Sequence, residues 1–522
     1  MTADYAVIGS GSSGAVIARR LVDAGCSVVL VEAGRMDDNP DIHDPHRLFA
    51  LGGSDDDYRY LTAPQEHLGG RRVPWARGKV LGGSSSINGM IHVRGFHGDY
   101  DHWAYLGNHG WDWESVLPYF LRSEDSDLGP SEWHGAGGLW PVRTQYEPSP
   151  LHRAFVDSAV AAGVPENPDH NGAEVLGANL VQFSVDAEGR RASTARSFLY
   201  DVLENPRLTL LTSTRARRLV VEGGRCTGVE VDTVGPDGSR STQVIEASRE
   251  VVVSAGAVDS PRLLMLSGIG DRDELTALGI DVVTHSPGVG RNLSDHLLVP
   301  LIYTIDGPPP WGAPGIPAQG SQLFWKSRPD LLAPDLQPLV FSVPIYGPDL
   351  DGPPEAFTIA PGIIRPASVG SIRLSDADPD AEAIIDPQYF SARADMDAML
   401  AAVDLCRRIA ATGPLREVWA AEELHPGLEV TGAALEQYVR EQVWSYWHPV
   451  GTCRMGIDTR AVVDPELRVH GVAGLRVADA SIMPALPSGN TSAPCVMIGE
   501  KAADLILSTV STIRTEIEGA LA

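Results

Sequence analysis

The chain has 522 residues, of which 43% are hydrophobic and 21% charged, so it can bury a large core in about two to four domains. Its formal net charge of −27 disfavours nucleic acids and anionic membrane surfaces as partners, because both are negatively charged. The five scattered cysteines form no CxxC pair, and neither a signal peptide nor an apolar run of membrane-spanning length is visible, so we expect reduced thiols and a cytoplasmic protein.

The first 34 residues predict a β-α-β unit. An apolar run at 5–8 is followed by a glycine-rich turn, a helical pattern that reaches about Ala24, and a second apolar run at 28–31. This order is typical of the start of an α/β domain that binds a nucleotide.

The turn inside this unit, "GSGSSG", carries the pattern G-x-G-x-x-G at Gly9, Gly11 and Gly14. Such glycines allow a tight turn, close approach of a pyrophosphate and close packing of the helix on the strand. The helix N-terminus then faces the phosphates with its partial positive charge. Glu32 ends the second strand, where its carboxylate can accept hydrogen bonds from an adenosine ribose. A glycine turn without a ligand is the alternative, and the pattern does not separate FAD from NAD.

The middle of the chain changes character three times. Residues 37–72 are polar and rich in Asp, Gly and Pro, which predicts irregular surface structure or a lid. Residues 208–256 are strand-rich, with a "PDG" turn at 236–238, and predict a β-meander inside a larger α/β domain. The proline-rich stretch at 307–320 predicts a loop or a domain boundary.

The C-terminal part predicts further sheet structure and a closing helix. "GSIRLSDADPDAEAIIDPQYF" reads as strand, turn and strand, typical of a second, antiparallel-sheet domain. "GLRVADASIMP" returns to the strand pattern of the start, and "APCVMIGEKAADLILSTV" predicts a helix with Ile498, Ala502 and Leu505 on its buried face. We therefore expect a mixed α/β fold with a Rossmann-like nucleotide-binding domain and a second, antiparallel-sheet domain.

A second glycine cluster, "RGKVLGGSSSINGMIHVRG", begins at Arg77. Its Gly82 and Gly83 allow backbone to approach a flat or anionic group, and the serines that follow can donate hydrogen bonds. With "GSGSSG…VEAG", "GAVDSPRLLMLSGIG", "WHPVGTCRMG" and "LRVADASIMPALPSGNTSAP", this cluster makes the chain resemble the glucose-methanol-choline (GMC) oxidoreductase family. The resemblance runs from about Asp4 to Leu507.

The resemblance implies FAD as the cofactor and an alcohol as the substrate. It implies an FAD-binding domain in residues 1–295 with a lid-like insertion at about 37–72, a substrate-binding domain in 296–440, and a return to the FAD domain in 441–522. Some members attach FAD covalently to a histidine just before the asparagine of the second cluster. Here that position is Ile87, so we expect FAD to be bound non-covalently.

The glycine pattern and the resemblance together predict a set of cofactor-binding residues spread over seven segments. They are Gly9, Gly11, Ser12, Ser13, Gly14, Glu32, Ala33, Gly78, Lys79, Val80, Gly83, Ser84, Asn88, Gly89, Met90, Ile91, Ala216, Trp447, Asp479, Ala480, Asn490 and Thr491.

Two residues near the C-terminus are predicted to be catalytic. Oxidation of an alcohol requires that the hydroxyl lose its proton, and a histidine is a suitable general base near neutral pH. His448 in "YWHPVGTCRMG" matches the family's catalytic histidine, and Asn490 matches its second catalytic position. The Asn490 amide can orient the substrate oxygen but cannot transfer protons, and Asn490 or Thr491 could also cap the closing helix.

Several other functions compete with this hypothesis. His448, Cys453 and Met455 could be ligands of copper, but no further ligand cluster lies nearby, and no G-x-S-x-G elbow indicates a hydrolase. A hydroxynitrile lyase with the same fold would keep FAD without net redox chemistry, and a flavin-stabilised binding protein would have no activity. Aromatic residues favour an aromatic or heteroaromatic primary alcohol, while a choline-type dehydrogenase remains an alternative. The electron acceptor, dioxygen or another molecule, and the oligomeric state are not readable from these residues.

Overall fold

The computed structural model describes residues 1–235, 238–347 and 349–521. Its strands, in chain order, are β1 (Thr2–Ile8), β2 (Val28–Val31), β3 (Tyr60–Leu61), β4 (Pro74–Trp75), β5 (Glu124–Ser126), β6 (Trp140–Val142), β7 (Gly177–Leu180), β8 (Leu208–Leu211), β9 (Thr214–Glu222), β10 (Arg225–Val234), β11 (Arg240–Val253), β12 (Ile269–Gly270), β13 (Thr284–His285), β14 (Leu297–Leu298), β15 (Leu301–Thr304), β16 (Gln319–Phe324), β17 (Leu339–Phe341), β18 (Ala356–Ala360), β19 (Gly362–Ile363), β20 (Ser371–Arg373), β21 (Ile384–Asp386), β22 (Glu422–His425), β23 (Trp444–Ser445) and β24 (Leu475–Val477).

Helices surround these strands. The α-helices are α1 (Gly14–Asp23), α2 (Pro40–His43), α3 (His97–Tyr105), α4 (Trp113–Ser123), α5 (Pro150–Ala161), α6 (Gly256–Leu266), α7 (Arg272–Ala277), α8 (Arg393–Ala410), α9 (Gly413–Glu417), α10 (Gly432–Gln442) and α11 (Ser492–Leu521). Within the described residues, none of the helices is both long and apolar enough to cross a membrane.

The larger sheet has seven strands and confirms the predicted β-α-β start. Its order is β8-β2-β1-β11-β10-β9, and β24 pairs in parallel with the end of β11. Strands β9, β10 and β11 form the predicted antiparallel meander, but β8 does not belong to it, because β8 pairs in parallel with β2. Pro236 and Asp237 of the predicted "PDG" turn lie outside the described residues.

A second sheet of six strands is antiparallel, in the order β22-β15-β18-β17-β16-β7. Strand β7 comes from residues 177–180, well before the predicted substrate domain at 296–440, so that sheet draws on two distant parts of the chain. The predicted strand-turn-strand segment forms a separate two-stranded hairpin, β20 with β21. The mixed α/β fold is confirmed, while the domain boundaries stay a proposal.

The C-terminal helix α11 packs against α1 and shares the hydrophobic core of the seven-stranded sheet. Ile498 and Ala502 are fully buried and Leu505 packs against the same core, as the sequence predicts. The Glu500 carboxylate, also buried, accepts hydrogen bonds from the Arg20 guanidinium on α1 at 2.7 and 2.9 Å. These contacts hold α11 against α1, the helix that follows the dinucleotide turn.

The predicted lid segment at 37–72 contains only short elements, including 3-10 helices at Pro45–Ala50 and Glu66–Leu68. It contacts two other regions through aromatic rings. The ring centroids of His46 and Trp311, in the proline-rich loop, are 5.3 Å apart. Those of Phe49 and Phe341, on β17, are 6.2 Å apart.

Candidate active site

The site begins at the edge where parallel strands end together. Ile8 pairs with Val31 on one side and with Val253 on the other, and Val253 pairs with Val477. The residues that follow these strands therefore gather in one crevice, which is the usual ligand position in open α/β sheets.

The glycines of the dinucleotide turn have different structural reasons. Gly9 has φ of +98°, which favours glycine, and a Cβ on Gly14 would lie 1.9 Å from the Gly9 carbonyl oxygen. Gly11 has no such protein contact, since a Cβ there would meet only the Gly83 Cα, at 3.9 Å. The space in front of Gly11 belongs to the cavity, which fits close approach of a bound dinucleotide.

Two buried carboxylates flank this turn. Glu32 accepts hydrogen bonds from the Ser10 hydroxyl at 2.6 Å, the Ser10 N–H at 3.0 Å and the Gly34 N–H at 2.8 Å. Asp479 accepts from the Gly256 N–H at 2.8 Å and the Ser260 hydroxyl at 2.5 Å. Burial raises the pKa of both carboxyl groups, and these hydrogen bonds oppose the rise.

One continuous cavity of about 510 Å³ runs from this turn to the C-terminal segment. Most of the predicted cofactor residues line it: Gly9, Gly11, Ser12, Ser13, Glu32, Ala33, Gly78, Gly83, Ser84, Asn88, Gly89, Met90, Ile91, Ala216, Trp447, Asp479, Ala480, Asn490 and Thr491. Gly14, Lys79 and Val80 do not. Gly14 packs on Gly9, Val80 is buried against Ile42 and Leu51, and the Lys79 side chain is exposed.

The second glycine cluster is held rigidly against this cavity. The Asn88 side-chain oxygen accepts hydrogen bonds from the Met90 N–H at 2.9 Å and from the buried Arg191 guanidinium at 3.0 Å. Met90 takes a left-handed backbone conformation with φ of +58°, and Ser84 accepts from the Gly78 N–H at 3.1 Å. These hydrogen bonds fix the backbone of the segment that the sequence predicts to lie against a flavin.

The two predicted catalytic residues lie side by side at the other end of the cavity. The Asn490 side-chain oxygen accepts a hydrogen bond of 2.8 Å from the Gln337 amide. The Asn490 amide group therefore turns its N–H toward His448, whose Nε2 lies 3.2 Å from Asn490 Nδ2. Burial lowers the pKa of His448 well below its usual value, and electrostatic effects of His296 and Arg77 act in the same direction. A neutral imidazole with a free electron pair on Nε2 can act as a general base.

Two residues adjacent in sequence, Asp295 and His296, contact His448, and the sequence did not predict either of them at this site. The backbone N–H of His448 donates to Asp295 Oδ1 at 2.8 Å. On the ring, His448 Nδ1 lies 3.0 Å from His296 Nδ1. Asp295 also accepts from the Ser445 and Tyr389 hydroxyls, each at 2.5 Å. Burial raises the pKa of Asp295 to about 6, and those hydrogen bonds oppose the rise. The adjacent pair "DH" before an apolar strand was the available signal, but nothing local placed it near residue 448.

The backbone before His448 is strained. Trp447 has φ of +60°, a left-handed conformation that costs about 1–3 kcal/mol for such a residue. It is held there by a hydrogen bond from its N–H to the Ser445 hydroxyl at 2.7 Å and by one from Arg77 to its carbonyl at 2.9 Å. Cys453 and Met455, considered above as copper ligands, are fully buried in the hydrophobic core.

An apolar chamber adjoins His448 and Asn490. We define the substrate chamber as the part of the cavity lined by Leu298, Leu339, Phe341, Ile345, Tyr446 and Gln319. The Tyr446 ring stacks on the His448 ring with centroids 4.8 Å apart, which connects the chamber to the base. Three acidic side chains line the cavity among the described residues, those of Glu32, Asp259 and Asp479, and none of them belongs to the chamber.

Comparison with known proteins gives consistent matches along the chain. Two family models, both described as GMC oxidoreductase, match residues 3–298 and 366–499. An uncharacterised GMC-type oxidoreductase of Mycobacterium tuberculosis is 41% identical over 97% of this chain and 99% of its own. The oxygen-dependent choline dehydrogenase of Sinorhizobium fredii is 39% identical over 99% and 98%, respectively. The crystal structure of pyridoxine 4-oxidase from Mesorbium loti superimposes with a TM-score of 0.89 at 34% identity, covering 96% of this chain and 98% of that one.

Proposed function

We propose that this chain, which belongs to the GMC oxidoreductase family and is an FAD-dependent oxidoreductase acting on CH–OH groups, oxidises a primary alcohol to an aldehyde. His448 is the general base and Asn490 orients the hydroxyl. The observation that carries the proposal is the contact of these two side chains, 3.2 Å apart, at the end of a cavity that starts at the dinucleotide turn.

The proton of the alcohol goes to His448 Nε2. Burial keeps this imidazole neutral, so its Nε2 carries no proton and can accept one, while the same lowering of the pKa makes it a weaker base. The Asn490 N–H that now faces Nε2 can instead donate to the substrate oxygen, which places the hydroxyl proton toward the histidine. When bound, FAD would supply the two-electron acceptor that takes a hydride from the alcohol carbon, and dioxygen or another acceptor would reoxidise it.

The cofactor is held by the backbone more than by charged side chains. The turn at Gly9 and Gly11 would hold the pyrophosphate, Glu32 would bind the ribose, and the run from Asn88 to Ile91 would contact the flavin, since all of these residues line the cavity. Ile87 also lines the cavity, where it offers no nucleophile for a covalent link, so we infer that FAD is non-covalent. The five cysteines are all free thiols, which supports a reducing, cytoplasmic setting.

The substrate chamber favours a neutral aromatic or heteroaromatic alcohol. Leu298, Leu339 and Phe341 present apolar surface, which suits a planar ring. Each acid of the cavity is already engaged away from the chamber; Asp259, for example, accepts from the Tyr60 hydroxyl at 2.5 Å and Arg262 at 3.2 Å. Choline would then bury a fixed positive charge without a carboxylate partner, which is costly. Pyridoxine, which names one structural neighbour, is itself a heteroaromatic alcohol.

An anaerobic panel of alcohols tests this function. The FAD-loaded enzyme is mixed with benzyl alcohol, pyridoxine and choline, bleaching of the flavin absorbance is followed, and air is then admitted. We expect bleaching by at least one ring-bearing alcohol and none by choline at the same concentration. If choline bleached the flavin and neither ring-bearing alcohol did, the proposal of a neutral aromatic or heteroaromatic substrate would be rejected. Release of cyanide from mandelonitrile without bleaching by any alcohol would instead identify a lyase. Rapid return of the flavin absorbance in air would identify dioxygen as an acceptor.

A further inference from the structure

His296 is fully buried, and its ring meets the His448 ring edge to face, with the centroids 5.2 Å apart at 89°. The two Nδ1 atoms lie 3.0 Å apart, a hydrogen-bond distance. Two unprotonated ring nitrogens, or two N–H groups, would repel each other. One of these Nδ1 atoms therefore carries a proton and donates a hydrogen bond to the other.

The other side of His448 decides which atom carries the proton. Gln337 Nε2 donates to Gln322 Oε1 and to Asn490 Oδ1, each at 2.8 Å, so the Asn490 amide has a fixed orientation. Its N–H faces His448 Nε2, which must therefore be the accepting nitrogen. In a neutral imidazole the proton then resides on Nδ1, and the His448 Nδ1–H donates to His296 Nδ1.

The far side of the His296 ring offers no competing contact. His296 Nε2 is buried and has no hydrogen-bond partner within the described residues, so the hydrogen bond of this ring is the one between its Nδ1 and His448 Nδ1. Burial lowers the pKa of His296 to about 3, so the ring is neutral at physiological pH.

We infer that His296 is a positioning residue that holds His448 in the tautomer with Nδ1 protonated, so that the Nε2 electron pair faces the cavity. This inference rests on the proposed role of His448 as base. His296 does not line the cavity, so it acts only through His448. The acceptor behind the base is a neutral imidazole, and the titratable groups around His448 are His296, Arg77, the Tyr446 ring and Asp295, which binds the His448 N–H.

A matched pair of variants separates this role from simple packing. In His296→Asn the amide oxygen can take the place of Nδ1, whereas in His296→Gln a methylene occupies that place and the amide replaces Nε2. We expect His296→Gln to lower the limiting rate of flavin reduction at least about tenfold, with substrate affinity within about threefold, and His296→Asn to stay within about threefold of the parent rate. The apparent pKa of that rate should fall in His296→Gln, because the protonated imidazole loses its acceptor, and stay unchanged in His296→Asn.

His152→Gln is the control, since His152 is also buried and has its pKa lowered, to about 4, but it contacts Ser321 and Ala318 instead of His448. It should keep the parent pH profile. Equal losses in His296→Asn and His296→Gln, or a parent rate in His296→Gln, would overturn the inference. If His448→Ala also reduced flavin at the parent rate, the proposed function itself would fail instead.

Nitrogen-15 spectra of the histidine-labelled holoenzyme test the tautomer without any change at His296. The His448 signals, assigned by their loss in His448→Ala, should show Nδ1 protonated and Nε2 unprotonated at neutral pH. The opposite tautomer would overturn the inference even if neither His296 variant retained FAD.

Discussion

The backbone N–H of His448 donates a hydrogen bond of 2.8 Å to Asp295 Oδ1, so the buried carboxylate of the residue that precedes His296 fixes the backbone of the base. The same carboxylate accepts from the Tyr389 and Ser445 hydroxyls, and the Ser445 oxygen in turn accepts from the N–H of the strained Trp447. Asp295 thus links Tyr389 to the segment from Ser445 to His448.

Replacing Asp295 by Asn should destabilise the protein measurably. The amide keeps an oxygen for the His448 N–H, but its N–H2 group would face two hydroxyls that now donate to a carboxylate. We expect the free energy of unfolding to fall by about 1–3 kcal/mol in denaturant titrations of the FAD-loaded protein. An unchanged midpoint in Asp295→Asn would show that this network does not stabilise the site.

The glycines of the dinucleotide turn should respond differently to alanine. In Gly11→Ala the new Cβ meets no protein atom closer than 3.9 Å but enters the cavity, so FAD should bind at least about tenfold more weakly, while thermal stability at saturating FAD is retained. In Gly14→Ala the Cβ would lie 1.9 Å from the Gly9 oxygen, and the forced shift should cost about 1–3 kcal/mol of stability. Flavin titration and thermal unfolding measure the two effects. Equal FAD affinity in Gly11→Ala and the parent would place the pyrophosphate elsewhere.

A buried ionic cluster outside the active site should give stability a defined pH dependence. His134 hydrogen-bonds to Glu124 and Asp169, each at 3.0 Å, and Arg94 also pairs with Glu124. Burial would lower the pKa of His134, but the hydrogen bonds to Asp169 and Glu124 outweigh it and raise that pKa to about 9.

Because the folded pKa is above the unfolded value of about 6.5, the stabilisation is complete below pH 6.5 and is lost as the pH rises through 9. His134→Gln should therefore lose more unfolding free energy at pH 6 than at pH 10, measured by urea titration. His109→Gln, at an exposed position, serves as the control. A loss that is the same at both pH values would mean that His134 is not protonated in the native protein.

Ile87 leads to a prediction about the cofactor link. Its side chain lines the cavity and cannot form a bond to the flavin, so acid precipitation should leave the yellow flavin in the supernatant. Flavin that remained in the washed pellet would contradict this prediction.

The glycine pattern and the ordered motifs predicted the fold and most of the cavity wall, because these features depend on local backbone requirements. Gly9 needs a left-handed conformation and Gly14 has no room for a Cβ, and both facts follow from a short stretch of sequence. Strand β7 was not predicted in the second sheet, since its partner β16 lies about 140 residues later and its four residues carry no signal of that pairing.

The support for the base was missed for the same reason. Asp295 and His296 reach His448 across about 150 residues, and Gln337 reaches Asn490 across a similar separation. Hydrogen bonds of this kind depend on how the two sheets are placed, which no local pattern encodes. Lys79 and Val80 show the converse, since their position in a recognised motif did not place their side chains in the cavity.

The most direct test of the account is the rate of flavin reduction in His448→Ala, measured by anaerobic stopped flow with an alcohol that bleaches the parent enzyme. We expect the variant to retain FAD and to be reduced about 10²–10⁴ times more slowly, because the hydroxyl proton has lost its acceptor. His470→Ala, the same substitution at an exposed histidine, should react like the parent. Reduction of FAD-loaded His448→Ala at the parent rate would contradict the assignment of His448 as the base.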